Sequence, residues 1–324
     1  MAVSSLLQRD RFRAILLGIL IADALSHRYL SWELRPAELP GKVEDSAPRL
    51  SRLAIESDRW CHHLSFTLSH LMQEGCKSYT FSHLPIEINE GLVDAKTSIV
   101  EAILFILPTF LLNIDSLDFG SLISDCQLTP SHQALSRAFY QWIVIFLNNN
   151  DLASAKLAWE TQVLMTNLSS IPEKDSLVLA LDHVLSAEGN FFLSLGQSLC
   201  CASHSTALNP LLTEQLSSQQ SYSASGFTQL RGTLSSNPAG LPLLTGLLSA
   251  CCVGCRGIPN RWYQALTNPT ASLSYWLQNR WQISGIHIID DWAEGLWQRW
   301  CGKYPMYSST SESRIFSVVQ PTAW

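Results

Sequence analysis

Between Arg11 and Leu25 the apolar residues Phe12, Ile15, Leu16, Ile19, Leu20 and Ala24 recur at the i, i+3, i+4 spacing of an α-helix. Gly18 and Ala22 fall inside the same stretch and are small enough to let a second helix come close. A chain built around such a segment must supply other helices to cover it. The same period returns at Leu64, Leu68, Leu71 and Met72, with Gly75 as a stop, and again from Thr97 to Ile114, where Pro108 should end or kink the helix. A cap signal at Thr129-Pro130-Ser131 opens the run Ala134, Leu135, Ala138, Phe139, Trp142, Ile143 and Phe146, which the turn from Asn148 to Asp151 closes. Further helical stretches read as Leu152 to Thr166, Ser176 to Ala187 and Asn190 to Ala202.

Leu34 to Arg59 and Asn209 to Gly240 read as irregular, the second with a short helix at Phe227 to Leu234. No fixed-period repeat and no sustained strand alternation occurs. The expectation is an all-α, compact multi-helix bundle of about ten or more helices, one domain over 1–302 with a polar tail over 303–324.

Charge narrows the function classes. Charged residues make up 15% of the chain and the net charge is −6, with no Lys/Arg-rich run to grip nucleic acid or an anionic membrane. The uncharged run Gly232 to Cys255 reaches bilayer length, but Pro238 and Pro242 interrupt it, so a buried core helix is expected and no transmembrane segment. Nine cysteines, an odd number without a regular framework, fit a reducing, cytoplasmic setting, and the N-terminus shows no secretory signal. Cys252-x-x-Cys255 lies in an apolar all-α context, and with Cys200 and Cys201 it reads as buried packing thiols rather than a redox or zinc motif.

Three segments share an order that points further. Arg11-Phe12-Arg13-Ala14 to Gly18, then Ala22-Asp23-Ala24-Leu25, opens the chain. Trp60-Cys61-His62-His63-Leu64 follows, with Thr129 and His132 mid-chain. Gly246 to Ala250, Gly254, Gly257-Ile258-Pro259-Asn260-Arg261-Trp262 and Leu266 come late. Together they resemble the ADP-ribosylglycohydrolase family over residues 11 to about 266. That resemblance implies the family's all-α fold and, in a competent member, two Mg²⁺ ions held by carboxylates and threonines that grip a ribose while ADP-ribose is released.

The residues that should carry this chemistry are replaced. Where the family reads W-T-D-D-T the chain has Trp60, Cys61, His62, His63 and Leu64, and at the late D-x-D-T it has Asn237, Pro238, Ala239 and Gly240. Asp23 remains, but one carboxylate cannot hold two hard cations, so no Mg²⁺ pair is expected and no catalytic residue is assigned. The expectation is an inactive protein of this fold acting as a binding, regulatory or assembly factor for a protein partner. Asp23, Cys61, His62, His63 and Asn237 would line its old cleft, which either holds a small-molecule ligand uncleaved or has closed. The alternative is a hydrolase with a rebuilt, non-Mg site around Asp23, Cys61, His62 and His63, with Zn²⁺ or another borderline metal and His70 nearby. Against it, consecutive helical residues point about 100° apart, so His62 and His63 diverge within a helix.

Five tryptophans, Trp276, Trp281, Trp292, Trp297 and Trp300, crowd the C-terminal part. On a helix opened by Asp290 or Asp291, Trp292, Leu296 and Trp300 share one face, and Ala293 and Trp297 the next. Trp292, Trp297 and Trp300 are the candidates for a partner surface, with Trp292 and Trp300 expected inside and Trp297 outside, beside Gln298 and Arg299.

Overall fold

The computed structural model describes residues 2–27, 29–30, 59–73, 98–112, 128–148, 157, 174–202, 240–301, 303–305 and 316–318. Among these, ten helices carry the fold: α1 (Ala2–Ser26), α2 (Arg59–Gln73), α3 (Ile99–Leu112), α4 (Pro130–Asn148), α5 (Lys174–Ser186), α6 (Phe191–Ala202), α7 (Leu241–Val253), α8 (Asn260–Thr267), α9 (Ala271–Arg280) and α10 (His287–Trp300). The all-α expectation holds. A three-residue antiparallel pair, β1 (Lys303–Pro305) with β2 (Phe316–Val318), follows α10 in the register Lys303 to Val318.

The centre is the crossing of α1 and α7. A Cβ added to Gly18 would lie 2.5 Å from the Gly246 carbonyl oxygen and 2.7 Å from Ala250 Cβ; one added to Gly246 would lie 2.6 Å from the Gly18 carbonyl oxygen. The two backbones therefore touch, and only glycine at both positions allows it. Around this contact the apolar face read from the sequence, Phe12, Ile15, Leu16, Ile19 and Leu20, is wholly buried, and so are Leu241 to Cys251 of α7. The uncharged run thus supplies a core helix of 13 residues, about 20 Å long and well short of a bilayer's roughly 30 Å. Among the described residues no helix is long and apolar enough to cross a membrane.

Helices α4, α5 and α6 pack on α7, α10 packs on α1, and α2, α3 and α10 pack against one another. Ser194 Oγ donates to Ser249 Oγ at 2.8 Å where α6 meets α7, so a polar pair buried in the core is satisfied internally. Pro108 does not end its helix: α3 runs on to Leu112, buried from Ile99 to Leu111. Proline removes the donor for the Leu104 carbonyl four residues back, and α3 is tied to α4 nearby by the Tyr140 hydroxyl donating to the Ile103 carbonyl.

Three charged residues of the first helix lock it in place. Arg11, 4% exposed, donates to the Phe146 and Leu147 carbonyls at the C-terminus of α4, where a helix leaves acceptors unpaired. Arg13 grips Asp290 of α10 through Nε at 2.6 Å and Nη2 at 2.9 Å, and donates to the Tyr263 hydroxyl at 2.7 Å. Asp10 Oδ2 accepts the Cys255 backbone N–H at 3.1 Å in the 3₁₀ turn Cys255–Gly257. Gly254, at φ 66°, precedes that turn, and a Cβ there would strike Asp10 Oδ2 at 2.4 Å.

The turns expected at Gly75 and across Asn149 to Asp151, the helix Leu152 to Thr166 apart from the single residue Leu157, and the irregular segments 34–58 and 209–239 with their short helix lie outside the described residues.

Candidate functional site

Asp23 sits in the last turn of α1 with its side chain turned inward, 1% exposed. The groups facing it come from the end of α9. Arg280 donates from Nε to Oδ2 at 2.8 Å and from Nη2 to Oδ1 at 3.2 Å, and the Trp281 indole N–H donates to Oδ2 at 2.9 Å. His27 Nε2 lies 3.5 Å from Oδ1, one turn along from Asp23. Arg280 is itself 5% exposed, with its guanidinium over the Trp60 ring at 5.6 Å. Trp60 meets Trp281 edge to face at 5.5 Å. The ion pair is therefore enclosed by two indoles, and both carboxylate oxygens accept from a cation that does not deprotonate in proteins.

The histidine pair diverges as helix geometry requires. His62 donates from Nε2 to the Asn279 carbonyl of α9 at 3.2 Å. His63 instead points at α3, edge-on to Phe105 at 4.7 Å, with Nε2 3.4 Å from Thr67 Oγ1. Burial pushes its pKa down to about 4, a small pull from the Phe105 backbone notwithstanding. Cys61 is fully buried, and His70 stacks on Phe66 at 5.8 Å. The end of α9 thus joins the α2 start to the α1 end, His62 touching Asn279 and Asp23 touching Arg280 and Trp281, while His63 and Cys61 belong to the packing of α2. Asn237 lies outside the described residues. Among those residues, no group of three or more His, Cys, Asp or Glu side chains is placed to hold a metal ion.

Arg280 and Trp281 are the residues that motif reading missed. The signal was Asp23 itself: a carboxylate inside an apolar helix needs a buried donor, and a chain this poor in charge offers few. Which arginine answers it could not be read, because the partner lies 257 residues away.

The thiols of α7 and of the 3₁₀ turn after it, Cys251 buried and Cys252 and Cys255 partly so, are held in the protonated form. Burial raises Cys251 well above its ordinary range and lifts Cys252 and Cys255 to about 12, and the Cys255 thiol donates to the Asp10 carbonyl at 3.4 Å. A thiolate, the nucleophilic form, is disfavoured at each.

On α10, Ile289, Trp292, Leu296 and Arg299 form the inward row, with Trp292 3% and Arg299 8% exposed. This corrects the expected face in two places. Trp300 is partly exposed at the rim, edge-on to Phe12 at 6.2 Å, and Arg299 is buried rather than part of a polar flank. Trp297 is partly exposed as expected, beneath the Arg9 guanidinium at 5.8 Å, while Arg9 Nε pairs with Glu294 at 2.6 Å. Beside it a shallow cavity of about 210 Å³ is lined by Met72, Asp291, Glu294, Gly295, Gln298 and Arg299. That is below the roughly 300–1,000 Å³ of small-molecule pockets. A Cβ on Gly295 would fall 1.8 Å from Met72 Sδ, so α2 and α10 are in close contact at its floor.

Comparison with known proteins finds no matching family model, no similar curated protein and no similar solved structure.

Proposed function

We propose that this chain is a non-catalytic protein of the ADP-ribosylglycohydrolase type that serves as a binding or assembly factor for a protein partner in a reducing, cytoplasmic compartment. The observation that carries the reading is the Asp23–Arg280 pair: the one carboxylate kept, at the family's first-helix Asp, accepts from a buried guanidinium and an indole N–H and is not free to take a cation. A hard cation needs carboxylate oxygens free to join the waters it keeps, and Arg280 already supplies the positive charge that such an ion would bring. His63, turned to Phe105 of α3, and Cys61, buried in the packing of α2, add no ligands beside it.

The partner part of the reading rests on Trp297 and Trp300, large aromatic side chains left partly exposed on the outermost turns of α10. Tryptophan is enriched among the residues that dominate interface energetics. Calorimetric titration with MgCl₂ tests the first part, with no saturable heat expected. Affinity capture from the native cell, run in parallel with the wild-type chain and Trp297→Ala, tests the second. A specific partner retained by the wild type and lost by the variant is expected, and equal recovery with both chains would remove α10 as the docking surface.

A further inference from the structure

We draw no further inference here: the strongest candidate, the surface patch where the partly exposed Tyr29 ring stacks on Trp276 of α9, is an apolar face and nothing in the structure shows what covers it.

Discussion

Asp23 and Arg280 stand 257 residues apart in sequence and meet through two hydrogen bonds inside the protein, with Trp281 adding a third to the same carboxylate. Removing one member leaves the other buried without its counter-charge. Arg280→Met should cost about 3–5 kcal/mol in denaturant unfolding. Replacing both groups with apolar ones, Asp23→Leu with Arg280→Met, should recover much of that loss, because neither charge then remains desolvated. A loss below about 1 kcal/mol for Arg280→Met would mean that the pair is open to water in solution.

Gly18 gives a case where two effects of known size oppose each other. Alanine in a helix interior normally gains about 0.5–1 kcal/mol over glycine. Here the new methyl group would stand 2.5 Å from the Gly246 carbonyl, a backbone atom that cannot swing aside. Overpacking should win, so Gly18→Ala and Gly246→Ala should each destabilise by about 1–3 kcal/mol, read as a fall in Tm. A rise in Tm for either would place the α1–α7 crossing wrongly.

This crossing shows what the sequence made legible. The α1 period and the small residues within it announced a close helix contact, since burial and side-chain volume are written locally. The identity of the facing helix was not, although the equally small residues of α7 are its counterpart. Helix α9 escaped periodicity for a related reason: its buried row is Leu273, Trp276, Leu277 and Arg280, and the arginine breaks the apolar pattern because it answers a charge on another helix. Trp300 was misplaced because eight residues carry it about 80° around the helix from Trp292, whereas Arg299, seven residues on, returns to within about 20° of that face and joins the buried row. Pro108 was read from local chemistry as an end or a kink, and the first of these fails because burial along α3 carries the helix on to Leu112.

Two buried histidines should shape the acid limb of stability. His63 and His183 both have folded pKa values lowered by burial to about 4, from an ordinary value of 6.5. Between those limits the unfolded chain binds protons that the folded chain refuses, so stability falls as pH drops from about 6.5 to about 4 and is insensitive to these groups above that window. Each should contribute a loss of up to about 3 kcal/mol. Urea unfolding across the window should show a steeper slope for the wild type than for His63→Phe with His183→Leu. Matching slopes would show that the two rings are solvated.

The C-terminal tryptophans should separate by burial. Trp292→Ala should cost about 3–5 kcal/mol, as large-to-small core changes do. Trp297 keeps one side in water and its contact with Arg9 is at the surface, so Trp297→Ala should cost no more than about 1–2 kcal/mol while weakening partner association by about 2 kcal/mol or more. Thermal melts of the isolated chain and binding titrations with the captured partner distinguish the two effects. Equal destabilisation by both substitutions would make α10 a packing helix only.

The most direct test is to incubate the purified wild-type chain with an ADP-ribosylated protein and follow free ADP-ribose, with Mg²⁺ present and with Mg²⁺ chelated. With Asp23 held by Arg280, no release above the uncatalysed background is predicted under either condition. Release that requires Mg²⁺ and stops on chelation would contradict the account, because it would show a working metal site in a chain that has lost the carboxylates expected to hold one.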